Sequence, residues 1–136
     1  MITTRGRYAL RVLIDLAENN SGSYTPMKEI AARQGLSQKY LEQIMPVLIK
    51  NRIVDGMSGK GGGYRLVRSP EEYVVGEILS LTEGGLEPVS CLGCSADKCE
   101  RSDDCRTLPM WKKYNELTQD FFNGITLADL MKSDKI

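Results

Sequence analysis

Residues 25–67 read TPMKEIAARQGLSQKYLEQIMPVLIKNRIVDGMSGKGGGYRLV. Two short helical patterns flank Gly35 and two strand-like runs flank a glycine-rich turn, the order of a winged helix-turn-helix. In the first pattern Met27, Ile30 and Ala31 share a face, with Thr25 placed to cap the helix and Pro26 at its first position. Gly35 can take the left-handed conformation that ends a helix, and Ser37 can cap the next. The second helix repeats Leu41, Ile44, Met45 and Leu48 at three- and four-residue spacing, leaving Lys39, Tyr40, Glu42 and Gln43 to point elsewhere. Pro46 removes the amide that would bond to the Glu42 carbonyl, so a kink is expected there. Ile53 to Met57 and Tyr64 to Val67 then predict an antiparallel hairpin with residues 58–63, SGKGGG, as its turn.

In this motif the first residues of the second helix reach base edges in the major groove. Ser37, Lys39, Tyr40, Glu42 and Gln43 occupy those positions. Gln pairs with adenine, Glu accepts from cytosine, and Lys or Ser reaches guanine or phosphate. Gly61 and Gly62 would let backbone approach a phosphate, and Lys60 and Arg65 bring charge to the same place. Two other readings of the glycines stand beside this one. A nucleotide site is disfavoured because no Walker or dinucleotide pattern fits; a merely flexible hairpin tip is the plainer alternative.

Charge supports a polyanionic partner. The formal net charge is zero, yet residues 1–68 hold 11 Lys and Arg against 5 Asp and Glu, and residues 69–136 hold 7 against 13. The basic half is the half with the helix-turn-helix, and phosphate neutralisation supplies most sequence-independent affinity for DNA. Hydrophobic content of 41% supports an ordinary core. No apolar run of 18 residues and no leader-like start is visible, so a cytoplasmic protein without membrane contact is expected.

Outward from the central stretch, residues 3–20 form a helix capped by Thr3 or Thr4, with Ala9, Leu10, Leu13, Leu16 and Ala17 as its packing stripe. Arg5, Arg7 and Arg11 lie off that stripe, where they either reach phosphates or are simply solvated. Ser69-Pro70-Glu71-Glu72 resembles a capping box, but the β-branched Tyr73-Val74-Val75 suits an extended link, so a turn at 69–72 and a helix at about 75–83 follow. Residues 86–107 have no period, and a loop that long needs a ligand or a similar reason to be ordered. The longest helix spans roughly 108–123, its Trp111, Tyr114, Leu117 and Phe121 repeating near a heptad spacing. Such a stripe is either a core face or a subunit interface; the interface is favoured, because two-fold dimers read palindromic half-sites. Thr126 caps a short last helix.

The loop holds all four cysteines as CLGCSADKCERSDDC, residues 91–105. Thiols flanked by glycine and acidic residues are not core residues. An iron-sulfur cluster, a structural zinc ion and a redox pair compete for them. Unequal spacing favours a cluster, only Cys91 and Cys94 form the C-x-x-C knuckle typical of zinc, and a redox pair usually sits in a βαβ setting absent here. With no histidine in the chain, imidazole ligation and His-dependent catalysis are excluded, and no enzyme or small-molecule substrate is expected.

Several motifs together resemble the Rrf2-type winged-helix regulators, in particular their cluster-bearing IscR- and NsrR-like members: RGRYAL, LSQKYLEQI, GKGGGYRL, SPEE, the cysteine loop and FFNGITLADLM. The resemblance implies a mainly α fold with a small β-hairpin wing and a long C-terminal dimerisation helix. It divides the chain into a DNA-binding part, residues 1–68, and a cysteine-loop and dimerisation part, residues 69–136. It implies a homodimeric transcriptional regulator, more specifically a repressor, on double-stranded palindromic operator DNA. It also implies an iron-sulfur cluster, [2Fe–2S] ahead of [4Fe–4S], on Cys91, Cys99 and Cys105. Leu108 stands where IscR-like members often have a histidine, and Arg7 where NsrR-like members can supply an aspartate, which leaves the fourth ligand open: Cys94 is the economical candidate, with an acidic residue or an outside ligand as alternatives. Ser58 replaces the arginine of IscR-like wings. Zinc-stabilised or thiol-redox regulation without a cluster, or a redox protein, are the alternatives.

Overall fold

The computed structural model describes residues 1–93, 97 and 99–132. Helix α1 (Thr4–Glu18) is followed by α2 (Met27–Gln34), α3 (Gln38–Lys50), strands β1 (Val54–Met57) and β2 (Gly63–Leu66), then α4 (Val75–Glu83), α5 (Leu108–Asn123) and α6 (Leu127–Met131). The two strands pair antiparallel, Val54 opposite Leu66 and Met57 opposite Gly63. The architecture is the expected one: mostly helical, with a hairpin wing.

The core forms where apolar periodicity demanded it. Leu41, Ile44, Met45 and Leu48 of α3 are buried against Ala9, Val12, Leu13 and Leu16 of α1 and Ile30 of α2. Removing such side chains from water contributes roughly 1.5–3 kcal/mol each. The caps hold as well. The Ser37 hydroxyl accepts from the Tyr40 amide at 3.2 Å, and Gly35 is left-handed at φ 63°. Helix α3 continues through Pro46, which lies on an exposed side with Glu42, so water can serve the carbonyl that proline leaves unpaired.

Thr25 departs from expectation. Pro26, not Thr25, occupies the cap position of α2, and Thr25 instead exchanges two backbone hydrogen bonds with Tyr64, at 2.8 and 2.9 Å. The wing is thereby tied to the start of α2. Gly63 makes this possible, since a Cβ there would lie 2.2 Å from the Thr25 carbonyl oxygen and its φ is +145°.

The link after the wing is extended for a reason the β-branched run only hinted at. Val74 bridges Thr126, the Val75 amide donates to the Ile125 carbonyl, and the Leu127 amide donates to the Tyr73 carbonyl. Tyr73 itself is fully buried. Its hydroxyl donates to the Ile53 carbonyl at 2.7 Å and accepts from the Val67 and Arg68 amides at 2.9 and 3.1 Å. Three backbone groups at the base of the wing are thus satisfied by one side chain.

Buried Asp15 braces the other end of α1. Arg33 donates to its two oxygens at 2.9 and 2.8 Å, and Gln34 adds a third bond at 3.0 Å. The pair fixes α2 on α1, where a lone buried carboxylate would be strongly unfavourable. Among the described residues no helix is long and apolar enough to cross a membrane.

Tyr73→Phe leaves all three of those backbone groups unpaired. It is expected to lower unfolding free energy by about 1–3 kcal/mol in urea titrations, and an unchanged midpoint would contradict the clamp.

Candidate functional site

Two constellations emerge, one at the front of α3 and the wing, the other in the loop before α5. At the first, Lys39, Glu42 and Gln43 are exposed along the outer side of α3, next to the capping Ser37. Tyr40 is only half-exposed. Its ring meets Tyr8 of α1 edge-on, with centroids 5.2 Å apart, so the first turn of α3 is braced by α1.

The wing tip is built rather than loose. Gly59 and Gly61 have φ of 86° and 76°, the Gly62 amide donates to the Gly59 carbonyl, and a Cβ on Gly62 would sit 2.2 Å from the Met57 carbonyl oxygen. The room the glycines provide is taken first by the protein's own backbone. Lys60 projects from this turn and is exposed; together with Arg5 and Lys39 it makes no ion pair with any described residue. Arg65 is different. It pairs with Asp55 across the strands at 3.3 Å, and its guanidinium lies 4.5 Å from the Tyr24 ring centroid. The Tyr24 hydroxyl donates to the same carboxylate at 2.7 Å, and this bond, aided by Arg65, holds Asp55 below the usual carboxylate range. Arg65 therefore reaches any anion as part of a triad. Arg7 and Arg11 are also engaged, Arg7 with the Thr4 hydroxyl and Arg11 with the side-chain and backbone oxygens of Gln34.

At the second constellation, Cys91, Cys99 and Cys105 line one cavity of about 330 Å³, closed by Leu92, Leu108 and Lys112, with Ser102 and Asp103 on its wall. Cys91 sits in a single 3-10 turn, Ser90–Leu92, and Cys105 lies just before α5. The Thr107 hydroxyl, 3.4 Å from its sulfur, and the amides of Thr107 and Leu108 lower the Cys105 pKa, with Arg101 assisting. Cys94 lies outside the described residues. Among the described residues no three Cys, Asp or Glu side chains converge on one point as ligands of a single metal ion do.

Beyond this loop, α5 carries no buried residue. Met110, Tyr114, Leu117 and Phe121 are 54–58% exposed and form its outer stripe. Trp111, expected on that stripe, is half-buried, and Met110 takes its place. The 4-3-4 spacing from Met110 keeps one line along the helix, whereas a start at Trp111 drifts off it. Tyr114, Leu117 and Phe121 also flank an apolar groove of about 680 Å³ shared with Met1, Ile2 and Leu86.

Comparison with known proteins agrees with this architecture. The family model Rrf2, described as an iron-dependent transcriptional regulator, matches residues 2–133. The IscR transcriptional regulator of Klebsiella pneumoniae is 35% identical over 135 residues, spanning 99% of this chain and 82% of that protein; IscR of Escherichia coli is 33% identical over the same length. Among solved structures, CymR of B. subtilis, described as a global cysteine regulator, has a TM-score of 0.78 at 30% identity, covering 99% of this chain and 98% of that one. T. potens IscR has a TM-score of 0.75 at 32% identity, covering 99% and 88%.

Proposed function

The chain belongs to the Rrf2 family of transcriptional regulators, and from that premise we propose that it is a homodimeric DNA-binding repressor governed by an iron-sulfur cluster on Cys91, Cys99 and Cys105. The observation that carries this reading is the meeting of those three thiols in one cavity at the foot of α5. In it, residues 1–68 read DNA and residues 69–136 sense and dimerise.

Ser37, Lys39, Glu42 and Gln43 face the major groove, with the Tyr40 ring braced on Tyr8, and Lys60 at the turn of Gly61 and Gly62 meets backbone phosphate, as does Arg5. The outer stripe of α5 pairs with its copy across a two-fold axis, which covers four exposed apolar side chains and sets the separation of the two α3 helices. A bound cluster, favoured as [2Fe–2S], supplies an oxidant-sensitive tie among the three thiols. Cys91 follows the end of α4 by eight residues and Cys105 precedes α5 by three, so drawing these thiols together fixes one helix relative to the other. Cys94 is retained as the candidate fourth ligand.

A thiol-redox reading without a cluster is the second possibility. It is favoured by the exposure of Cys91 and Cys99 and by the likeness to a cysteine regulator.

Two outcomes test the first reading. Protein purified without air is expected to be coloured and to contain iron and acid-labile sulfide, while the variant with Cys91, Cys99 and Cys105 all replaced by Ala is colourless but folded and still able to bind duplex DNA. Colourless wild-type protein, or zinc without sulfide, would overturn the cluster. Leu117→Asp is expected to shift the sedimenting species from dimer to monomer and to weaken duplex binding at least tenfold, since charge buried in an apolar interface is strongly disfavoured. A dimer unaffected by this change would place the interface elsewhere.

A further inference from the structure

Glu83, the last residue of α4, reaches the first turn of α1. Its Oε1 accepts from the Thr3 amide at 2.8 Å, the Thr3 hydroxyl at 3.0 Å and the Gly6 amide at 3.1 Å. The two amides are among those that a helix start leaves without intrahelical partners, and a carboxylate there also complements the helix dipole. The contact requires Gly6. A Cβ at that position would lie 2.3 Å from the same Oε1 and 3.0 Å from Leu79 Cδ2.

What surrounds this cap gives it more than a structural part. Immediately after Glu83 come Gly84 and Gly85, at φ 79° and 131°, and then the segment that leads to Cys91. On the other side, the capped turn of α1 carries exposed Arg5, and one turn later Tyr8 packs against Tyr40 of α3. A shift at the end of α4 must either carry the start of α1 with it or break three hydrogen bonds. Either result moves Arg5 and the Tyr8 support of the reading helix.

We infer that Glu83 is the positioning residue that passes the state of the cysteine loop to the DNA-facing ends of α1 and α3. This rests on the cluster-sensing reading above, and it names the contact by which that sensing reaches DNA. Coupling of this kind needs an element with two arrangements that both sites bias, and in this inference the double-glycine joint beside a three-bond cap takes that part.

The test measures affinity for a duplex selected by the wild-type protein from random-sequence DNA, at fixed salt. Each protein is measured after anaerobic loading with ferrous iron and sulfide, and again after the iron is removed with a chelator. For wild type the two affinities are expected to differ by about fivefold or more. In Glu83→Ala that ratio falls below about twofold, whereas Glu83→Gln, which keeps the acceptor oxygen, retains most of it. A Glu83→Ala protein that keeps the wild-type ratio overturns the inference, however far its absolute affinity drops. A wild-type ratio near one overturns the sensing reading and the inference together, and is told apart because wild type and variant then agree at one. Independently of any variant, amide exchange at Gly6 in the wild type is expected to change severalfold between the two states; equal protection overturns the inference.

Discussion

The structure depends on one helix being used from all sides. Ala9, Val12, Leu13 and Leu16 of α1 are buried, and α2, α4, α6 and the second wing strand pack around it. Its two ends are fixed by charged partners from opposite halves of the chain, Glu83 at the start and the Arg33 pair of Asp15 near the end. Apolar burial supplies most of the free energy, while the polar contacts set which neighbour meets which turn. The helix-turn-helix and α4, which leads into the cysteine segment, are therefore joined through a shared core.

The same economy of contacts shapes the basic side. Much of the arginine charge that composition assigned to a polyanion is already paired within the chain: Arg33 with Asp15, Arg65 with Asp55 and Arg68 with Glu77. Arg5, Lys39 and Lys60 are among the cations that make no ion pair with a described residue, and they lie at the start of α1, the first turn of α3 and the wing tip. In the proposed DNA surface these three cations are well-separated positive points, which suits positioning more than bulk attraction.

Local rules made the reading helix legible in advance. The apolar spacing of α3, the left-handed Gly35, the Ser37 cap and the limits of α5 all follow from neighbours within four residues. What escaped were partners distant in sequence. Nothing near Thr25 announces its pairing with Tyr64, 39 positions on; nothing near Tyr73 announces that its hydroxyl serves the wing; and Glu83 reads as an ordinary helix end. Asp15 did leave a trace, as a lone acid inside the apolar run VLIDLA, which can be accommodated only if a cation meets it. Trp111 is half-buried and the exposed stripe starts one residue earlier, at Met110, because spacings of three and four are both tolerated along a helical stripe. That three thiols of an aperiodic loop line one cavity was signalled by residue chemistry alone.

The account as a whole holds that occupancy of the thiol cavity alters how tightly α3 and the wing hold DNA. The most direct measurement is the affinity of the wild-type protein for one selected duplex, after anaerobic loading with ferrous iron and sulfide and again after chelation of the same sample, at constant salt. A change of about fivefold or more is predicted. Identical affinities in the two states would contradict the account and leave a regulator that does not listen to its cysteines.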